Sequence, residues 1–305
     1  MASRPLISIV IPAYNYAEKL PRAVSSVLKQ LTDLHELIVI DDGSTDNTQA
    51  VLTELHNENN NFRIVHKENG GLASVRNRGI TEAQADYLIF LDADDELDEG
   101  ALKHIEQHIQ SNPASRMIVG GYTSVWPDQV KSKVSLPSEL PADPVARVKG
   151  YLIDKTISLA NGATIMHRSL FEKGLYPEHF RNAEDLPVFA QALGNYECTI
   201  LKSSIARIHK HETSLRHNVT YDRDVGLALV DEIFSTERLP SETKQLKQQF
   251  VAQRALSLFR GYYVAGLHND AKQMYLIAVK NSWRSVFKIS YTRKFIKMIL
   301  IKARV

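Results

Sequence analysis

Four short apolar runs recur through the first part of the chain, at residues 6–12, 36–40, 62–66 and 87–91, and segments of helical spacing separate them. Leu20, Val24, Val27, Leu28 and Leu31 form one helical stripe, and Val51, Leu52 and Leu55 form another. Strands that alternate with helices predict βαβ crossovers and a largely parallel sheet. The runs "ELIVI" and "YLIFL" are apolar almost throughout, which suits a sheet covered on both faces. The expected fold class is therefore α/β, a Rossmann-like, mostly parallel central sheet flanked by helices.

With 305 residues and 44% hydrophobic content, the chain can build one large domain, or one domain and a smaller one. From about residue 224 the pattern turns helical, as in Val251, Ala255, Leu258 and Phe259. The expected division is an α/β domain over 1–223 and a helical C-terminal region over 224–305. Residues 127–144 hold four prolines and little periodicity, so they read as an excursion between two lobes. The lone Cys198 cannot form an internal disulfide and fits a reducing compartment. The N-terminal apolar run is short, contains Pro12 and alternates, so it reads as a strand rather than a signal peptide. No stretch approaches the roughly 18–20 apolar residues of a membrane span. A cytoplasmic protein, soluble or peripheral to the membrane, is expected.

In an open α/β sheet, ligands bind beyond the carboxyl ends of the strands. Three such ends carry unusual chemistry: "PAYN", "DDGSTDNT" and "DADDE". The last belongs to "YLIFLDADDELDEG", where an apolar run meets Asp92, Asp94, Asp95, Glu96, Asp98 and Glu99. Two carboxylates about 4 Å apart repel by roughly 4 kcal/mol at an effective dielectric of 20. Solvation relieves this, and so does a bound cation. Glu96, Asp98 and Glu99 read as acids at the start of the next helix. Asp92 and Asp94 suit Mg²⁺ or Mn²⁺ held by one or two carboxylates, with ligand phosphates completing the shell. An EF-hand loop is excluded, because Leu97 stands where it needs glycine. An aspartyl phosphotransferase of the dehalogenase type is disfavoured, because its Asp-x-Asp follows the first strand. A dinucleotide fingerprint and a P-loop are both missing. After the second strand, Asp41 and Asp42 can accept from a base N–H or a ribose hydroxyl. Gly43 and Ser44 read as a turn, and Thr45 or Asp46 as a helix cap.

The segments "ISIVIPAYNYAEKLPRAVSSVL", "ELIVIDDGSTDNT", "NGGLASVRNRGI" and "YLIFLDADDEL" resemble the family 2 glycosyltransferases, of GT-A fold. The resemblance covers roughly residues 5–100 and continues more weakly through "NGATIMHRSLFEKGLYPEHFRNAEDLPVF" and "HKHETSL". It implies inverting, metal-dependent transfer of a hexosyl or N-acetylhexosaminyl group from a nucleotide diphosphate sugar, with a UDP-sugar expected. It makes 1–223 the catalytic domain. Pro12 and Tyr14 would line the nucleotide site, with Tyr14 stacked on the base, and Asp42 would accept from a base N–H. Arg76 would meet base or diphosphate. Asp92 and Asp94 form the family's Asp-x-Asp, Asp94 being the first choice as direct metal ligand, and Asp95 would face sugar or acceptor. Asp185 would be the catalytic base, with Glu184 as fallback or acceptor ligand, and His211 would return to the metal or diphosphate. Without the resemblance, Asp185 reads as a helix cap before Pro187. Two other classes remain open: a non-catalytic sugar-nucleotide-binding subunit, and a metal-dependent nucleotidyl or phosphoryl transferase.

Over residues 271–305 there is no acid, and basic residues interleave with Trp283, Val286, Phe287, Phe295, Ile296, Ile299 and Leu300. Such a segment predicts docking on an anionic membrane surface. Nucleic acid is not expected, because no recognition module accompanies the charge. The implied acceptor is a saccharide, lipid-linked, in assembly of surface polysaccharide or lipopolysaccharide on the inner face of the cytoplasmic membrane.

Overall fold

The computed structural model describes residues 4–127, 132–210 and 219–302. Its first third follows the alternation: β1 (Ile7–Ala13), α1 (Leu20–Leu28), β2 (His35–Asp41), α2 (Thr48–Glu58), β3 (Arg63–His66), α3 (Leu72–Glu82) and β4 (Tyr87–Phe90). β1 lies between β2 and β4 and pairs in parallel with both, and β3 pairs in parallel with β2. Every residue of β1 is buried. Successive side chains leave opposite faces of a strand. Val10 accordingly joins Ile38, Ile40 and Phe90 in one apolar cluster, while Ile9 and Ile11 join Leu37, Val39 and Ile89 in the other. Each such side chain contributes about 1.5–3 kcal/mol on full burial, so the register of β1 is strongly held. α3 lies close against this strand at Gly79, where a Cβ would sit 2.7 Å from Val10 Cγ1.

Beyond β4 the sheet changes direction. β5 (Glu96–Leu97), α4 (Ala101–Ser111), β6 (Met117–Val125) and β7 (Lys133–Ser135) follow, then α5 (Pro144–Lys149) and β8 (Thr164–His167). After them come α6 (Asp185–Asn195) and β9 (Cys198–His209). The sheet runs β3-β2-β1-β4-β8-β6-β9-β5, with β7 paired to β6. β8 is antiparallel to both β4 and β6, so only the β3-to-β4 half is uniformly parallel. The expected excursion carries β7, which folds back along β6.

The C-terminal region is helical: α7 (Val219–Val225), α8 (Ala228–Ile233), α9 (Lys247–Val264), α10 (His268–Asn281) and α11 (Ile289–Lys302). Val225, Leu229, Ile233 and Phe250 share the cluster of Leu152, Val188 and Phe189, so the core is continuous as far as the start of α9. Beyond that point Ala255, Phe259, Tyr262, Tyr275 and Met298 form a cluster of their own. Cys198 is half-buried, and burial pushes its thiol up to about 11, away from thiolate chemistry. Among the described residues, no helix is long and apolar enough to cross a membrane.

Candidate active site

The three polar strand ends converge on one rim. After β1 the chain turns through Asn15, whose φ of 58° is left-handed, a conformation asparagine tolerates. Asn15 Oδ1 accepts from the Thr45 and Asp46 backbone N–H groups at 2.8 and 3.3 Å, and its own N–H donates to Ser44 Oγ at 3.0 Å. Tyr16 N–H donates to Thr48 Oγ1 at 3.1 Å. The loop after β1 is therefore stitched to the loop after β2. Pro12 is buried within β1, opposite Ile40, while Tyr14 stands at the rim with 44% of its surface exposed.

Asp41 and Asp42 divide their work. Asp41 accepts from Ser44 N, Gln49 Nε2 and His66 Nδ1 at 3.0, 3.0 and 3.1 Å. Burial works against its charge, but these donors together hold its carboxyl below the ordinary range. Asp42 is 2% exposed and organises the start of α3. Its Oδ1 accepts from Lys67 Nζ at 2.6 Å and Gly70 N at 2.9 Å, and its Oδ2 accepts from Gly71 N at 2.8 Å. A carboxylate offers about four lone-pair positions, and among the described residues Oδ2 takes the one donor, Gly71 N. Gly71 has φ 84°, a left-handed backbone that favours glycine, and a Cβ there would displace the Arg181 guanidinium.

The acids after β4 sit in one another's fields. Asp95 N–H donates to Asp92 O at 2.9 Å, which closes a tight turn. Asp95 is buried, and its Oδ1 accepts from His209 N at 2.8 Å. Burial, then Asp92 and Asp94, push its carboxyl up to about 8. The Asp92 carboxyl is also raised, first by burial, with Asp94 adding to it and Arg76 opposing. The Tyr16 hydroxyl is raised by burial and by Asp94, Asp92 and Asp95. Arg22 Nη2 donates to Asp94 O. Glu96 and Asp98 do not act as helix-start acids, because the first turn of α4 contains none. Instead Glu96 pairs with His209 Nε2 at 2.7 Å and Arg22 Nε at 3.4 Å. Asp98 takes Ser204 Oγ at 2.6 Å and Arg207 Nε at 2.9 Å. These contacts satisfy acids that lie beside β9 rather than at a free helix end.

Arg76 links this cluster to the other side of the cleft. It is 1% exposed, on the face of α3 that also carries Ala73 and Gly79. Its Nη2 lies 3.2 Å from Asp92 Oδ1 and its Nη1 2.7 Å from Glu184 Oε1. The guanidinium stands 5.4 Å from the Tyr176 ring centroid. Burial opposes its charge, yet Asp92 and Glu184 hold it above its ordinary value. The next residue, Asn77, exchanges hydrogen bonds with the Tyr176 backbone at 2.9 and 3.0 Å.

Glu184 and Asp185 begin α6. Glu184 occupies the N-cap position but makes no side-chain cap, and Asp185 is the first helical residue. The preceding Ala183 is held left-handed at φ 59°, its N–H donating to Asn182 Oδ1 at 2.9 Å. Asn182 Nδ2 in turn donates to Asp222 Oδ1 at 3.3 Å, an oxygen that also takes Arg254 Nη2 at 3.2 Å. Burial and Glu184 push the Asp185 carboxyl up to about 6, with Arg76 pulling the other way. Asp185 therefore lies one residue inside the cap position that the sequence suggested for it. Tyr16, Asn182, Asp222 and Arg254 were not singled out by the sequence reading, since their neighbours here come from distant segments. His211 lies outside the described residues.

The donor set suits a hard divalent cation. Carboxylates that raise one another's pKa are relieved by such an ion, and Mg²⁺ or Mn²⁺ is commonly held by one or two carboxylates plus phosphate oxygens. Among the described residues no group of three or more His, Cys, Asp or Glu closes around a metal, so a partial protein shell is all they offer.

Comparison with known proteins agrees with this architecture. The model of glycosyl transferase family 2 matches residues 8–175, more than half of the chain, and the chain belongs to that family. It is 36% identical over 118 residues to the glycosyltransferase GlyG of Streptococcus pneumoniae, covering 38% of this chain and 39% of that protein. Poly(ribitol-phosphate) beta-N-acetylglucosaminyltransferase TarP of Staphylococcus aureus is 38% identical over 120 residues, covering 38% of this chain and 36% of its own. The match to chondroitin synthase of Pasteurella multocida is 35% identical but spans only 15% of that protein. The crystal structure of S. aureus TarS 1–349 in complex with UDP-GlcNAc superposes with a TM-score of 0.70 at 18% identity. That superposition covers 96% of this chain and 89% of TarS 1–349, and it establishes the GT-A fold.

Proposed function

We propose that the chain transfers a hexosyl or N-acetylhexosaminyl group, with inversion, from a UDP-sugar to a saccharide acceptor. The observation that carries this reading is Asp185, a carboxyl raised to about 6 at the start of α6 and joined through Glu184 and Arg76 to the acids after β4. A base whose pKa lies near the working pH combines availability with proton affinity. Asp185 takes the proton of the acceptor hydroxyl while that oxygen attacks the anomeric carbon from the face opposite the diphosphate. The bond from the anomeric carbon to the diphosphate oxygen breaks, its electron pair leaves with UDP, and the anomeric centre inverts.

The remaining residues hold and orient. Tyr14 offers its exposed ring to the base, beside Pro12, and Asp42 Oδ2 accepts the base N–H. Arg76 is a positioning residue: its buried fork fixes Asp92 on one side and Glu184 on the other. Asp94 and Asp92 would hold Mg²⁺ or Mn²⁺, with His211 as a third ligand, and the ion would supply positive charge beside the diphosphate. Asp95 faces the sugar or acceptor. Residues 1–223 are the proposed catalytic domain, and 224–305 the helical region that supports it and carries the basic tail. That TarS binds UDP-GlcNAc on this fold makes it the first donor to try. A lipid-linked acceptor in surface polysaccharide assembly suits the basic tail, which would meet the anionic inner face of the cytoplasmic membrane.

Asp185→Asn tests the reading. Loss of the base is expected to lower transfer by roughly 10²–10⁴-fold, while UDP binding measured by calorimetry stays within about twofold. Turnover that persists in the variant would remove Asp185 from the role.

A further inference from the structure

We infer that residues 283–300 form a wedge that seats in an anionic lipid bilayer. This deepens the membrane placement proposed above but does not depend on the catalytic assignments. The argument starts from α11, which is apolar on two sides. On one side Tyr291, Phe295 and Met298 pack inward: Tyr291 lies 5.8 Å from the Phe259 ring, Phe295 stacks on Tyr275 at 4.2 Å, and Met298 is buried. On the other side Ile289, Ile296 and Leu300, at spacings of seven and four, are all exposed. Only the first stripe is needed to hold the helix to α9 and α10.

The short helical turn that precedes α11, Trp283–Phe287, extends the exposed side. Trp283 is 66% exposed and Phe287 69%, and their rings meet edge to face at 5.5 Å. Large apolar groups gathered this way at one end of a domain mark an interaction surface. The charges choose the partner. No acid follows Asp270, and Arg284, Lys288, Arg293 and Lys297 lie among the exposed apolar residues. Two copies of the chain meeting here would bring these cations together. An anionic bilayer takes the apolar side chains below its headgroups and pairs the cations with lipid phosphates. Nucleic acid would use the cations but leave the apolar groups in water.

The full chain is sedimented with vesicles of phosphatidylcholine alone, and with vesicles containing one third phosphatidylglycerol. Binding is expected on the second and to weaken with salt. The paired change Trp283→Ser and Phe287→Ser is expected to abolish it. Arg284→Gln, Lys288→Gln and Arg293→Gln are each expected to weaken it by about fivefold, the equivalent of roughly 1 kcal/mol per cation near such a surface. All of these residues are surface groups away from the cleft, so UDP binding serves as the folding control and should not change. Equal sedimentation of the wild type with and without anionic lipid would overturn the wedge. So would a tip variant that still binds the vesicles, or one whose only change is a smaller particle in gel filtration, since that would assign the surface to a second copy. Vesicle binding without sugar transfer would leave the wedge standing and defeat the catalytic reading instead.

Discussion

Arg76 holds down the titration of Asp185, the proposed base, and this can be measured. The Asp185 carboxyl stands near 6, raised by burial and Glu184 and held down by Arg76. A group titrating there is about nine-tenths ionised at pH 7 and about one-tenth at pH 5, so kcat/KM should fall by roughly tenfold between them. Arg76→Gln removes the restraining cation, and the acid limb should move upward. The change also strands two acids. Truncating one partner of a buried pair costs about 3–5 kcal/mol, a cost that falls on Glu184, since solvent screens Asp92, whose side chain keeps 40% exposure. Arg76→Lys keeps the charge but loses the two-pronged geometry, so its limb should lie between the other two. The assay is UDP release under kcat/KM conditions from pH 4.5 to 8.5, at saturating Mn²⁺ so that the metal-side acids stay ionised. Circular dichroism would confirm that each variant is folded. A wild-type limb near the ordinary carboxylate value of about 4 would refute the reasoning, as would a folded Arg76→Gln protein with an unmoved limb.

Asp95 titrates in the fold at about 8 rather than at 3.8, so the native state holds the extra proton and stability drains away as pH rises through that window. In EDTA, Asp95→Asn should therefore gain on the wild type in melting temperature as pH climbs from about 4 to 8, by several degrees at the top; a constant gap would contradict this. Tyr14→Ala should weaken UDP binding by the roughly 1–3 kcal/mol that a base-stacking aromatic supplies, read by calorimetry. Arg254→Gln or Asp222→Asn loosens the hold on Asn182 and the left-handed Ala183. Each should lower kcat several-fold with the donor KM little changed, whereas a purely structural role would change only the melting temperature.

Much of the polar rim at the strand ends was legible because it is local. Strands and helices announce themselves by periodicity, and the loops after β1, β2 and β4 carry polar residues where an open α/β sheet must bind its ligand. Asp42, Tyr14 and the acids after β4 fall in those loops. The reversal at β8 was not legible, because a four-residue run such as "TIMH" gives no direction. Neither was the use of Glu96 and Asp98. Read forward, they precede a helix; in space, they face His209, Ser204 and Arg207 across β5 and β9.

The side of the cleft built by Arg76, Glu184 and Asn182 is assembled at long range, and there the sequence offers at most hints. Arg76 and Glu184 are 108 residues apart, and Asn182 reaches Arg254 through Asp222. One hint was present: Arg76 shares its helical face with Ala73 and Gly79, a place where a charge is costly unless something waits for it. An arginine on a buried stripe predicts acids from elsewhere in the chain, though not which ones. The Asp222 link has no such signature, since Asp222 and Arg254 look like ordinary polar residues of C-terminal helices. Yet the oxygen they share supports the turn that presents Asp185. The helices from α7 onward therefore do more than cover the core: they hold the proposed base from behind, and the strained φ of Ala183 is opposed in its relaxation by Asn182 and Asp222.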